Sequence, residues 1–341
     1  MAQPNLERFT RRSLLLKPQP TAGVDPVPTP ALDGIRLFNG SSSTAFDTVE
    51  RPTDRDFLGH NEFGVANTRA MIEGDFELYP PTTPGQVATS DADAARILLP
   101  AGMAVTKDAG NKITRYSPIS ANFPMAAAYW YHANTFLKAL NARATLASLG
   151  MEIGQRYTGR ATIQGDYEVE LMGSPGSAVI IPNRKPVIAT HRNSVCLVST
   201  LTGGAIPSAP STLLEDLPTW SKYLRIDLGA QLTKDEFTEH SENSYGNRQP
   251  TFSWRVAKTD VDADFNPLYV RDMGTIVQIT WFTYVDDTKD GLYSMQTVRG
   301  QIENIANADI NGKAGWDITG RCIPSDAGGD EFGIEFGDAA P

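Results

Sequence analysis

Cysteine and histidine are scarce in this chain, two of the one and four of the other among 341 residues. Cys196 and Cys322 are too few and too far apart for a disulfide framework, so both are expected as reduced core residues. His60, His132, His191 and His240 are scattered. None falls in a His-Glu-x-x-His frame and no Cys-x-x-Cys pair exists, so no metal site is expected. The Gly-x-Ser-x-Gly elbow and the Gly-x-x-x-x-Gly-Lys phosphate loop are both missing, and neither catalytic residues nor a cofactor are expected. No apolar run approaches the ~18 residues of a membrane span. Positive charge is in deficit: 30 Lys and Arg against 40 Asp and Glu leave a net charge of −10. Such a surface disfavours tight binding to nucleic acid or to an anionic membrane.

Two fragments imitate familiar signals and fail on inspection. "TRRSLLLK" (10–17) has the look of a twin-arginine leader, but "PQPTAGVDPVPTP" stands where the apolar stretch should follow, so export is not expected. "DVDADFNPLYVR" (260–271) opens like a calcium loop. It carries Phe265 where glycine must turn the chain and Arg271 where a bidentate glutamate is needed.

What is present is β-structure. In "MIEGDFELYP" (71–80), Ile72, Gly74, Phe76 and Leu78 fall on one face of a strand and Glu73, Asp75 and Glu77 on the other. "TIQGDYEVEL" (162–171) repeats the design, with Asp166, Glu168 and Glu170 on the polar face. "TFSWRV" (251–256) alternates too, and "IVQITWFTYV" (276–285) is rich enough in β-branched and aromatic residues to be buried. Helices are expected at 90–99, capped by Ser90, and near 262–274. Asp290-Gly291 and Asn311-Gly312 mark hairpins.

Residues 1–30 are basic and then proline-rich, with Pro18, Pro20, Pro26, Pro28 and Pro30. They read as an extended segment that pairs poorly within a domain, either a tail or an arm lying on a neighbouring subunit. The two halves share an outline: a strand, a helix, further strands, then a strand pair. In the second half these are 251–256, 262–274, 276–285 with 292–299, and a pair within 299–322. One fold used twice is expected, with 174–186 as the join. Each acid row is the wet side of a sheet or has a special role; a catalytic carboxylate pair would need burial or a like-charge partner to raise a pKa.

The order of several stretches carries a resemblance. "SLLLKPQPTAGVDPVPTPALDGIRLFNGS" (13–41) precedes "VERPTDRDFLG" (49–59), "RAMIEGDFELYPP" (69–81), "DADAARILLPAGM" (91–103), "ITRYSPIS" (113–120) and "LNARATLASLGMEIGQRYTGRATIQGDYEVELMG" (140–173). "YLRIDLGAQL" and "GNRQPTFSWRV" follow within 223–256. This succession resembles the major tail tube protein of long-tailed, non-contractile bacteriophages. The resemblance implies a mainly β chain, a sandwich or barrel with a short flanking helix, without enzymatic activity. It divides into an arm (1–30), two tube domains (31–190 and 191–324) and an acidic C-terminal tail (325–341).

It further implies self-assembly into stacked rings of six tube domains. A two-domain chain would close as a trimer with pseudo-sixfold symmetry, a one-domain chain as a hexamer. The partners would be further copies, a tape-measure protein and a tail terminator, in a virion tail assembled in the host bacterial cytoplasm. Double-stranded DNA would pass through the bore without tight binding, past a lining of Glu73, Asp75, Glu77, Asp166, Glu168 and Glu170. Leu14, Leu15, Leu16, Pro18, Pro20, Pro26, Pro28 and Pro30, with part of 40–60, would reach between rings. Two other readings stay open. One is a carbohydrate-binding or glycosidase-like β-sandwich using Tyr129, Trp130 and Tyr131. The other is a tail terminator or joining protein.

Overall fold

A computed structural model describes residues 12–50, 63–80, 95–110, 112–132, 135–172, 187–201, 217–237, 240–258, 266–286 and 292–338. The first half contains β1 (Arg12–Gln19), β2 (Gly34–Ile35), β3 (Leu37–Glu50) and β4 (Phe63–Glu77). After the one-turn helix α1 (Ala95–Leu98) come β5 (Met103–Asp108), β6 (Ile113–Pro118), β7 (Met125–His132), β8 (Thr135–Glu152) and β9 (Thr158–Met172). The second half contains β10 (Ser194–Leu201), β11 (Leu217–Pro218), β12 (Ser221–Asp227), β13 (Leu232–Phe237), β14 (His240–Tyr245) and β15 (Thr251–Ala257). Helix α2 (Pro267–Asp272) leads to β16 (Ile276–Tyr284), β17 (Leu292–Ile310), β18 (Lys313–Cys322) and β19 (Phe332–Asp338). The protein is mainly β and antiparallel, and every strand except the β13–β14 hairpin joins one continuous sheet.

Period-two patterning explains the strands. Ile72 and Phe76 of β4, and Phe252, Trp254 and Val256 of β15, are buried in the apolar core, while their odd-numbered neighbours stay partly exposed up to Asp75 and Arg255. Each large side chain withdrawn from water contributes about 1.5–3 kcal/mol. Helix α2 begins where Asn266 accepts hydrogen bonds from the Leu268 and Tyr269 amides (3.1 and 3.2 Å), with Pro267 in the first turn. The Asn311–Gly312 turn has both residues at positive φ (54° and 82°) and joins β17 to β18 as a two-residue hairpin. Ser90, Asp290, Gly291 and the 174–186 join lie outside the described residues, as do 260–265 of the failed calcium frame.

The two halves order their strands alike. Across the first, the sequence is β1-β7-β8-β9-β4-β3; across the second it is β10-β16-β17-β18-β15-β12. Numbered one to six along the chain, both sets lie 1-4-5-6-3-2. A short helix falls between the third and fourth strands each time, and a register shift interrupts the second–third pairing each time, at Phe38/Ser41 and Ser221/Tyr223. The halves meet edge to edge where Tyr223–Ile226 of β12 pair with Leu149–Glu152 of β8.

Three expectations need correction. The N-terminal segment does not pair poorly within the chain: Leu14, Leu15 and Leu16 are fully buried in β1, and Pro18 stands opposite Ala126. The apolar triplet pairs with β7 along its whole length, and Pro18 is accommodated within the same strand. Pro20 is exposed, Pro26 and Pro30 are half-buried and Pro28 is buried. The connection is held by Asn141, which accepts from the Gly23 amide (2.8 Å), and by the Asp25–Lys138 ion pair (2.7 Å).

The C-terminal stretch is not an acidic tail. β19 is a buried strand between β17 and β6, tying the second half to the first, with Phe332, Ile334 and Phe336 in the core. Finally, 292–299 is not a separate strand: β17 runs unbroken from Leu292 to Ile310.

Candidate functional site

The two acid-striped stretches are neighbours. β4 and β9 pair antiparallel, with Ile72 opposite Ile163, Asp75 opposite Arg160 and Arg69 opposite Asp166. The polar faces therefore merge into one surface, on which the acids whose side chains are described meet bases. Glu73 and Asp75 share Arg160 (3.1 and 3.6 Å), and Asp75 also accepts from the Asn39 side-chain amide (3.0 Å). Asp166 lies beneath the β13–β14 hairpin, 3.4 Å from Lys234 and 2.8 Å from the amide nitrogen of Asn141. The hairpin is pinned there by Asn243, which is buried, accepts from Gln164 (3.1 Å) and donates to Asp166 (3.3 Å). Glu168 occupies a bulge, an extra residue between Tyr167 and Val169 as they face Ala139 and Lys138, and pairs with Lys138 at 2.5 Å.

Glu77 departs from the expected row. It is buried, held by Arg156 at 2.9 Å, and burial together with this carboxylate pushes the Tyr79 phenol up to about 12. The side chain of Glu170 lies outside the described residues. The row of acids is thus interleaved with bases: Arg160 is shared by Glu73 and Asp75, Lys138 reaches Glu168 from β8, Lys234 reaches Asp166 from the β13–β14 hairpin, and Arg156 holds Glu77. Arg160 could have been placed on this face from sequence, because it shares parity with Thr162, Gln164 and Asp166. That it sits opposite Asp75 could not, because register is a property of the assembled sheet.

The second half repeats the device. Arg255 of β15 stands opposite Asp317 of β18 and binds it through two hydrogen bonds, 2.5 and 2.7 Å, with its guanidinium over the Tyr223 ring. Hydrogen bonds from Arg255 hold the Asp317 carboxyl below its ordinary range against a smaller opposing effect of burial. Arg225 pairs with Glu152 (2.6 Å) at the joint between halves.

Other candidates resolve into packing. Tyr129 and Trp130 are buried, Trp130 lying against Gly40, where a Cβ would come within 2.5 Å of the indole. Tyr131 stacks on Phe136 at 4.9 Å. Cys196 and Cys322 are free and buried, and burial pushes the Cys196 thiol up to about 11. Among the described residues no group of three or more His, Cys, Asp or Glu could hold a metal ion, and no helix is long and apolar enough to cross a membrane. The β3–β4 hairpin extends past the last β4–β9 pair, at Arg69, and there Phe46, Val49, Phe63 and Val65 are exposed.

No protein-family model matches the chain, and no curated protein matches it.

Proposed function

We propose that this chain is a structural subunit of a phage tail tube, built from one β-unit used twice. The observation that carries the reading is the β8–β12 joint: two sheets of like strand order meet edge to edge inside one chain. A ring closes by repeating such a contact. The resemblance in motif order supplies the tube. The patch bearing Glu73, Asp75, Arg160, Arg255 and Asp317 lines the bore, in which duplex DNA slides without adsorbing. Paired charges suit that task. A lone charge at ~4 Å interacts by only about 1 kcal/mol in water, and screening confines it to roughly 8 Å. A salt-bridged wall offers phosphate neither a strong attraction nor a strong push.

The exposed apolar side chains of the β3–β4 hairpin suit contact with the next ring, the role expected of the N-terminal arm together with part of 40–60, where Phe46 and Val49 lie. On this reading the chain is no enzyme. Its partners are its own copies, a tape-measure protein and a terminator, in a virion tail assembled in the bacterial cytoplasm.

Micrographs of the full-length protein at rising concentration test the proposal. Hollow rings that stack into tubes are expected. A monomer at every concentration overturns it, and sugar affinity of that monomer would favour the carbohydrate reading. Single rings that never stack would favour a terminator.

A further inference from the structure

The joint inside the chain has open counterparts at both ends. Matching the halves by register sets Gly74 opposite Ala161 against Trp254 opposite Ile318. In this frame Ser41 and Ser42 of β3, opposite Glu73 and Ile72, correspond to Arg225 and Ile226 of β12, opposite Ser253 and Phe252. Leu146 of β8 corresponds to Ile305 of β17, and Gly150, opposite Thr158, corresponds to Ala308, opposite Gly315. The internal joint pairs Arg225 with Gly150 and Ile226 with Leu149. Its counterparts are the outer edge of β3 and the edge of β17 beyond Gln301, where β16 ends. Among the described residues no strand pairs with either edge.

We propose that the internal joint is the template for the contact between copies: the β3 edge at Ser41–Thr44 of one chain pairs antiparallel with the β17 edge at Ile305–Ala308 of the next. The predicted register sets Ser41 opposite Ala308 and Ser42 opposite Asn307. The tail-tube reading underlies this inference, because it fixes the closure at three chains.

Two features support it. First, Ser41–Thr44 are all exposed, and Glu303–Ile310 range from exposed to half-buried. Second, neither stretch carries the proline or lysine with which lone sheet edges are usually blunted, so both are templates for pairing. The contact between copies is wider than the internal joint at one point: a Cβ on Gly150 would meet the Leu224 carbonyl oxygen at 2.3 Å, and Ala308 at the corresponding position carries that Cβ. The contact is head to tail, so it propagates until the rotation closes.

Backbone geometry identifies a selective variant. The two-residue Asn311–Gly312 turn makes Ile310 and Lys313 a hydrogen-bonded pair, so the amides of Ile310 and Ala308 point to β18 and those of Asp309, Asn307 and Ile305 point to the open edge. Asn307→Pro therefore removes an outward donor and leaves the hairpin ladder in place.

The test uses the full-length chain under conditions where the wild type assembles. Ser41→Cys with Ala308→Cys in one chain is expected to form disulfide-linked species up to a trimer under oxidation, because a directly opposed pair lies within disulfide reach. Each single variant is expected to give no such ladder. Asn307→Pro should keep the wild-type melting temperature to within a few degrees and lose assembly at least tenfold in concentration. Rings without any cross-link in the double variant, or unimpaired assembly of Asn307→Pro, overturn the edge assignment and leave the tube reading standing. A wild type that never assembles overturns both.

Discussion

Arg255 and Asp317 face each other across β15 and β18 in a two-point ion pair, and the equivalent position of the first half holds Asp75 opposite Arg160, the same pair with its polarity reversed. The Arg255–Asp317 pair is balanced, whereas Arg160 is shared between Asp75 and Glu73, so the first-half position keeps one carboxylate in excess.

If the patch lines the bore as proposed, removing one partner of the Arg255–Asp317 pair will be felt by DNA more than by the fold. Both side chains of the Arg255–Asp317 pair are about one-third exposed, 34% and 30%. A double-mutant cycle on it is expected to give a coupling of about 0.2–1 kcal/mol. Asp317→Ala leaves Arg255 unpaired, and assembled tubes of this variant should retain duplex DNA at low salt where the wild type does not. Retention should fall as salt rises. Equal retention by both would remove this patch from the bore.

Two carboxylates should give opposite pH signatures. Asp317 sits below its ordinary 3.8, so its stabilisation is present above that value and is lost as pH falls through the folded pKa. Glu335 sits above its ordinary 4.5 because burial outweighs Arg115 and the Tyr293 hydroxyl. Its ionisation opposes folding, so stability is lost as pH rises from that value through the folded pKa. Urea unfolding of the wild type, Asp317→Asn and Glu335→Gln across this range checks both. The wild type should lose ground to Asp317→Asn on acidification and to Glu335→Gln on the way up.

β19 should prove structural. Phe336 is fully buried and meets the Tyr116 ring edge-on at 6.1 Å. Phe336→Ala is expected to cost about 3–5 kcal/mol, measured by denaturant midpoint. A free tail would tolerate the change, so an unaltered midpoint would restore the tail reading.

Gly150 is required where the halves join. Gly150→Ala forces a methyl against the Leu224 carbonyl and should destabilise the protein by about 1–3 kcal/mol, read from the same unfolding curves. Hydrogen exchange should show the loss concentrated on the β8–β12 amides. Uniform exchange would mean the joint is not a separate weak point.

Much of the local structure was legible in the chain. Alternation at Ile72–Phe76 and at Phe252–Val256 named two strands and their buried faces, because a pleated backbone sends successive side chains to opposite sides. Asn311-Gly312 named a hairpin, because few residue pairs accept two positive φ angles. The helix expected near 262–274 is α2 at Pro267–Asp272. The same alternation runs through Phe332, Ile334 and Phe336, but flanking acids and glycines disguise it, so that by sequence a core strand reads as a tail. The proline count from 18 to 30 likewise outweighed Leu14–Leu16 in the reading of the N-terminal segment.

What only the tertiary structure decided is who stands beside whom. Period-two patterning assigned Glu73 and Asp75 to a polar face and was silent on Arg160, 85 or more residues away in sequence. Composition determined that this is a β-rich, acidic chain without metal or nucleophile motifs. Cross-strand register then set Arg160 beside Glu73 and Asp75 and placed two like-ordered sheets side by side. The reason is physical: side-chain direction is local to a strand, whereas strand partners and register are chosen by burial across the whole sheet.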